Sequence, residues 1–204
     1  MSAIVKAAQA EMRGYLNAQR RIVIDGELNF ESLAEPTKEV VKLDFESREP
    51  ITILLSSNGG IYDATLQFCD IMAALNSPVD AVVIGDCCSM AVDLLQMCRK
   101  RSLLPSSRIL VHYTRYKKEW IGDDIDLLEG DITFFRQSMR QHRERRFDLY
   151  ARRTGLSHEK LAEMFRHGEM HRAYFSAEQA VEMKLADEII YDFKFFKDKK
   201  YDNE

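Results

Sequence analysis

Short apolar runs rich in isoleucine and valine alternate along the chain with longer segments of mixed apolar and charged residues. The runs lack the strict alternation of a strand with one solvent-exposed face, so they are typical of parallel strands that are covered on both faces. The predicted strands are Arg21–Asp25, Ile51–Ser56, Val79–Gly85, Arg108–Thr114 and Asp187–Asp192. Because helix-like segments separate most of them, the pattern predicts an α/β fold with mainly parallel strands.

One predicted helix is longer than the others. Between Asp124 and Arg153 apolar residues recur at three- and four-residue steps, and Gly155 follows as a helix stop. A helix of that length spans roughly 40 Å, which is more than the core of a domain of this size can cover. We therefore expect part of its apolar stripe to meet another chain. The alternative is that the helix lies entirely across its own domain.

The remaining segments complete a single predicted domain over residues 1–204. Ser157 is a candidate N-cap for a short helix to Phe165, and Ser176–Gln179 has the form of a capping box. The lysine-rich residues 193–204 are predicted to be a flexible tail. Charges interrupt residues 1–20 too often for a signal peptide or a membrane span, which predicts a cytoplasmic protein without membrane contact.

Composition and charge exclude several classes of site. A net charge of -4 gives no electrostatic reason to expect nucleic acid, and the basic stretch His142–Arg146 is interpreted as a solvated helix face. The cysteines show no C-x-x-C spacing, which predicts free thiols rather than a zinc site or disulfides. They are Cys69, Cys87, Cys88 and Cys98. The sequence therefore predicts neither a metal nor another cofactor.

Ser89 is a candidate nucleophile within GDCCSMAV, directly after a predicted buried strand and before a predicted helix. A sharp turn at such a place exposes the hydroxyl, and the free N–H groups of the helix start can stabilise an oxyanion. Serine is also a favoured helix N-cap, so the residue type alone leaves both interpretations open.

Two further sequence features are relevant to Ser89 as a candidate nucleophile. Ser57-Asn58-Gly59-Gly60 follows a predicted strand, where paired glycines permit either a turn or close backbone approach to a ligand. His112 closes the apolar run RILVH, where a strand can hold it rigidly. A histidine at a strand end is also compatible with a purely structural role.

Together and in this order, these features resemble the Clp protease proteolytic subunit (ClpP) family of serine peptidases. The family's serine-proline-glycine-glycine turn has its counterpart in SNGG, and its nucleophile segment in IGDCCSMA. LPSSRILV before His112 and YFSAEQAVEMKLAD near the C-terminus also match family segments. The alanines of the family stand where this chain has its two adjacent cysteines.

The resemblance implies a crotonase-like fold and a set of roles. Ser89 would be the nucleophile, His112 the general base, and the N–H groups of Gly60 and Met90 the oxyanion hole. The helix Asp124–Arg153 would be the protruding handle that joins two stacked rings around a chamber. AAA+ unfoldases are partners of the family, although residues 1–20 show no counterpart of its gating loop.

The resemblance covers roughly Arg21 to Ile190. The main departure of this chain from the family concerns the catalytic acid, the third member of the family's serine-histidine-aspartate triad. Counting back from Ser176 places Arg172 where the family has its catalytic aspartate. A cation there would disfavour protonation of His112. The segment Arg166–Phe175 is predicted to be a loop, and its single carboxylate, Glu169, is nominated as the substitute acid. The alternative is a Ser-His dyad or an inactive subunit.

The predicted function is a serine endopeptidase that cleaves peptides or unfolded proteins inside a homo-oligomeric chamber. One alternative is a catalytically impaired subunit with a structural or regulatory role. Another is a crotonase-fold enzyme acting on acyl-CoA thioesters, because a shared fold does not fix the reaction. Thioester chemistry would not require serine and histidine at these two places.

Overall fold

The computed structural model describes residues 3–113, 125–166 and 172–195. The helices are α1 (Ala3–Ala18), α2 (Phe30–Glu46), α3 (Tyr62–Ala74), α4 (Met90–Met97), α5 (Ile125–Thr154), α6 (His158–Arg166) and α7 (Ala177–Glu182). The strands are β1 (Arg21–Leu28), β2 (Ile51–Gly60), β3 (Val79–Cys88), β4 (Arg101–Leu103), β5 (Arg108–His112), β6 (Arg172–Ser176) and β7 (Glu188–Ile189).

The strands form one sheet in the order β1-β2-β3-β4-β7, and β5 pairs with β3 and β6. The pairs β1 with β2, β2 with β3, β3 with β4, β3 with β5 and β4 with β7 are all parallel. The predicted α/β fold with mainly parallel strands is confirmed. Strand β4 escaped prediction because its three residues are too few to show a pattern. Strand β6 lies in a segment that the sequence predicts as a loop. The segment forms a strand because pairing with β5 outweighs its local polarity.

The chain divides into two compact units. The first consists of Met1–Leu110 and Tyr174–Glu204, and the second of Val111–Ala173. In the first unit, residues 51–55 of strand β2 are buried or half-buried on both faces, as their mainly apolar run predicts. On one face Leu54 clusters with Leu16 of α1 and Val82 of β3.

The second unit is organised around the long helix α5, which coincides within one residue at each end with the predicted helix. Gly155 ends it with φ +74°, a conformation that favours glycine, and donates its N–H to Ala151 O at 2.8 Å. Phe147 and Tyr150 of α5 each contact Phe165 of α6, with ring centroids 5.4 Å apart. These aromatic contacts form the core of the second unit.

Two predicted helix starts are confirmed by their caps. Ser176 Oγ accepts from Gln179 N while Gln179 Oε1 accepts from Ser176 N, which is the predicted capping box of α7. Ser157 Oγ accepts from Lys160 N at 3.4 Å ahead of α6. Local side-chain hydrogen bonds therefore stabilise both helix starts.

The start of the predicted tail is held against the first strand. Arg21, which is buried, donates hydrogen bonds to the carbonyls of Lys194 and Phe195. Its guanidinium also lies 5.3 Å from the ring centroid of Phe193. Residues 193–195 thus provide carbonyl and aromatic partners for this buried cation, whose donors must be satisfied. The rest of the predicted tail lies outside the described residues.

Candidate active site

Ser89 occupies a sharp corner between β3 and α4. Its backbone has φ +54° and ψ -123°, a combination that residues with a side chain rarely adopt. Such a conformation costs on the order of 1–3 kcal/mol and concentrates at functional sites. The Ser89 N–H donates to Leu110 O of β5 at 2.8 Å, so the neighbouring strand holds the corner in place.

The side chain of Ser89 does not cap the helix that it precedes. An N-cap serine has an extended backbone and accepts a hydrogen bond from the second or third helical N–H. Ser89 has neither property: its φ is positive and its side chain makes no capping hydrogen bond. The capping interpretation of this serine is therefore wrong. The geometry is that of a strand-to-helix turn that presents a hydroxyl at a helix N-terminus.

Gly59 packs directly against this corner. A Cβ at Gly59 would lie 2.7 Å from both Ser89 Cβ and Cys88 O, and 2.9 Å from Met90 N. A Cβ at Gly60 would lie 2.1 Å from Leu28 O. Both glycines belong to the end of β2 rather than to a separate turn, and each is required by a close approach of two backbones.

Ser57 fixes the conformation of this glycine segment. Its buried hydroxyl donates to Gly26 O at 2.6 Å and accepts from Gly59 N at 3.0 Å. The N–H of Gly59 is therefore engaged within the segment. Met90 is the first residue of α4, where N–H groups have no acceptor inside the helix. The predicted oxyanion donor Met90 thus lies beside both Ser89 and Gly59.

The cysteines next to Ser89 are poor nucleophiles. All the cysteines are buried thiols, and none forms a disulfide. Burial and then the nearby Asp86 carboxylate raise the pKa of Cys88 to about 11. Burial also raises the pKa of Cys87 well above its ordinary value. Because the thiolate is the reactive form, both side chains are unreactive thiols at neutral pH.

His112 ends strand β5 and belongs to the second unit. Its Nδ1 lies 2.5 Å from Tyr113 O, and since a carbonyl only accepts, Nδ1 must carry the hydrogen. In a neutral imidazole the other nitrogen, Nε2, is then the unprotonated one that can accept a proton. Arg146 of α5 donates from Nη1 to His112 O at 3.3 Å, so the long helix contacts the backbone of this histidine.

The predicted site residues are distributed over both units. Ser89, Met90 and Gly60 lie in the first unit, and His112 lies in the second. Glu169 lies outside the described residues. Gly59 is not among the predicted site residues, although the glycine pair in SNGG is a signal for it.

Two other contributors were also missed. Ser57 gave no signal beyond its place in SNGG, and the Tyr113 carbonyl gave none, because every residue has a carbonyl.

The basic stretch His142–Arg146 corrects one expectation. The predicted solvated face holds for Arg143, Glu144 and Arg145, which are exposed, whereas Arg146 is buried and His142 is half-buried. The guanidinium of Arg146 lies 5.0 Å from the ring centroid of Phe165, which explains how the fold accommodates it.

The described residues offer no candidate metal centre, since no group of three or more His, Cys, Asp and Glu side chains among them could hold an ion. Across the same residues, no helix combines the length and apolar character needed to cross a membrane.

The parallel sheet, its helices and the strand-to-helix serine corner define a crotonase-like α/β protein. The solved structure of a point mutant of ClpP1 from Listeria monocytogenes shares this fold with a TM-score of 0.76 at 24% sequence identity. The alignment covers 91% of this chain and 99% of that structure.

The family model for Clp protease matches residues 5–192, and the chain belongs to that family. A similar relative is the ATP-dependent Clp protease proteolytic subunit 1 of Chlamydia muridarum, 29% identical over 85% of this chain and 88% of the relative. The protein of the same name from Rhodopirellula baltica is 29% identical over 87% of this chain and 75% of the relative.

Proposed function

We propose that this chain is a serine peptidase in which Ser89 is the nucleophile and His112 the general base. The observation that carries the proposal is the strained Ser89 corner, with φ +54° and no capping hydrogen bond from its side chain. A structural serine at this position would relax toward the extended N-cap geometry. An unfavourable backbone conformation is typical of functional sites, and here it presents the Ser89 hydroxyl to a substrate.

The first chemical step joins the hydroxyl to the peptide carbonyl. Ser89 Oγ attacks the carbonyl carbon while its proton passes to Nε2 of His112. The carbonyl π electrons move onto oxygen and form a tetrahedral oxyanion. The N–H groups of Met90 and Gly60 stabilise that charge, a contribution of about 3–4 kcal/mol per donor in comparable sites.

The second half of the reaction releases both products. The C–N bond breaks, and the leaving amine takes the proton from His112 while an acyl ester remains on Ser89. A water molecule then attacks the ester as His112 Nε2 accepts its proton. The C–O bond to Ser89 breaks, the hydroxyl regains its proton, and the carboxylate product leaves.

The orientation of His112 does not depend on a carboxylate in this proposal. The Tyr113 carbonyl accepts the Nδ1 hydrogen at 2.5 Å and selects the tautomer that the base needs. A neutral carbonyl stabilises the imidazolium less than a carboxylate does, so we expect a slow Ser-His dyad.

For this reason Glu169→Gln should change the hydrolysis rate by less than about threefold. Arg172→Asp should raise the rate, because it removes a cation and restores a carboxylate at the position that the family pattern gives to the acid. Initial rates on an unfolded protein substrate measure both effects. A loss of about 100-fold or more in Glu169→Gln would instead make Glu169 the triad acid.

Membership of the family supports a proposal for the substrates and partners. The relatives are named as ATP-dependent proteolytic subunits. We infer that peptides and unfolded proteins are the substrates, that copies of this chain form stacked rings around a chamber, and that an AAA+ unfoldase in the cytoplasm delivers the larger substrates. The long helix α5 is the handle that connects the rings.

The assembly has a direct test in Phe134, which lies on α5 and is 71% exposed. Phe134→Asp should convert a large assembly into smaller species, because an unpaired charge buried in an interface costs several kcal/mol. Light scattering at micromolar concentration measures the change, with the exposed neighbour Thr133→Asp as the charge-matched control. A monomeric mass for the unaltered protein would contradict the proposal.

The peptidase activity itself is tested on fluorescein-labelled casein. The purified chain should release labelled peptides, and stoichiometric diisopropyl fluorophosphate should abolish that release. Failure to cleave casein, together with full retention of the assembled mass, would favour the impaired-subunit alternative, for which Arg172 in the acid position is the supporting observation.

A further inference from the structure

A cavity of about 450 Å³ lies within the second unit, beside helix α5. Its apolar lining consists of Tyr113, Phe135, Met139 and Phe147. The volume falls within the usual range of ligand pockets, which is roughly 300–1,000 Å³. The cavity is therefore large enough to receive a side chain of a bound peptide.

The rest of the lining is basic. Arg140, His142, Arg143 and Arg146 line the cavity, and none of its described lining residues is acidic. The spacing explains this, because positions 139, 142, 143 and 146 lie on one face of a helix with 3.6 residues per turn. The same helical face supplies both the apolar floor and the positive charge.

Two of these arginines differ from three arginines of the first unit that are paired with carboxylates. Arg99, Arg101 and Arg108 each form an ion pair with an aspartate. Arg140 and Arg143 are exposed at the cavity and form no ion pair with any of the described residues. Guanidinium groups are suited to bind carboxylates with two parallel hydrogen bonds.

The cavity adjoins the general base. Tyr113 lines the cavity and its carbonyl accepts the hydrogen bond from His112 Nδ1. Arg146 lines the cavity and donates to His112 O. A side chain held there belongs to a peptide that passes next to the catalytic histidine.

We propose that this cavity is a specificity pocket that binds a glutamate or aspartate side chain of the peptide substrate. The inference rests on the peptidase function proposed above and adds a substrate preference to it. The methylene groups of the bound residue contact Phe135 and Met139, and its carboxylate pairs with Arg140 and Arg143. A neutral amide of the same shape keeps the apolar contacts but loses the charge-assisted hydrogen bonds.

The test measures binding separately from catalysis. Two fluorescein-labelled, C-terminally amidated heptapeptides of alanine are compared, one with a central glutamate and one with glutamine, so that the peptides carry the same label and differ in one carboxylate, that of the glutamate side chain. Ser89→Ala protein is titrated into each while fluorescence anisotropy is recorded. We expect the glutamate peptide to bind at least about tenfold more tightly, and Arg140→Gln with Arg143→Gln to remove that difference.

The matched control is Arg136→Gln with Arg145→Gln, which removes the same charge from exposed positions of α5 outside the cavity lining. This control should keep the preference for glutamate. Equal affinities of the two peptides for the Ser89→Ala protein would overturn the pocket proposal. An equal loss of the glutamate preference in both double variants would also overturn it. A change of assembled mass confined to the Arg140 and Arg143 variant would also overturn it and assign the cavity to a contact between copies.

The two proposals fail independently in this design. Selective binding of the glutamate peptide without hydrolysis by the unaltered protein would uphold the pocket and refute the peptidase. Casein hydrolysis without selective binding would uphold the peptidase and refute the pocket.

Discussion

Ser89→Ala should remove hydrolysis of unfolded protein substrates, with a loss on the order of 1,000-fold or more. The variant lacks the oxygen that forms the acyl ester, and neither buried cysteine beside it can substitute, since the pKa of Cys88 is raised to about 11. Initial rates of casein cleavage, at matched concentrations of assembled protein, measure the loss.

Cys88→Ala is the matched control, one residue away in the same strand. It should retain the rate within about threefold, because a small apolar side chain suits this buried position. Undiminished hydrolysis by a contaminant-free Ser89→Ala preparation would show that another residue is the nucleophile.

Gly59→Ala should damage both stability and activity. The added Cβ would lie 2.7 Å from Ser89 Cβ and from Cys88 O, on a residue with φ +88°. Overpacking and an unfavourable backbone together should lower the free energy of unfolding by about 2–4 kcal/mol. Displacing the nucleophile by about 1 Å should also lower kcat/KM by roughly 100-fold in the molecules that remain folded.

The control for Gly59→Ala is Gly155→Ala. Gly155 has φ +74°, but a Cβ there would meet nothing within 4 Å. This variant carries the backbone penalty of about 1 kcal/mol without the steric clash, and it should keep its activity. Urea denaturation and casein cleavage separate the two effects. Equal losses in both variants would mean that Gly59 is needed only for its own conformation.

Much of the fold was predictable because its signals are local. The apolar run of β2 is buried on both faces as its composition indicates, and Ser176 forms the capping box that its spacing with Gln179 predicts. The long helix ends at Gly155, where the residue type itself specifies the stop. Strand β4 was missed because three residues carry no periodic signal and depend on pairing with β3.

The candidate site was less predictable because its key features are not properties of residue type. Whether Ser89 caps a helix or presents a hydroxyl depends on its backbone angle, which the residue type does not specify. The Tyr113 carbonyl became significant only through its contact with His112 Nδ1.

The arginines of α5 are a second case in which residue type does not predict the surroundings of the side chain. A charged stretch is most often solvated, and only the packing of α5 shows that Arg146 is buried and lines a cavity.

The central claim, that Ser89 is an activated nucleophile, is tested most directly by locating a covalent adduct. A fluorophosphonate loses fluoride when an activated serine oxygen attacks its phosphorus, and the phosphonyl group stays on that serine. After digestion and mass spectrometry, the proposal predicts one adduct, on Ser89 in the peptide that contains GDCCSMAV, and none in the Ser89→Ala variant. An adduct on a different residue, or no adduct on correctly assembled protein, would contradict it.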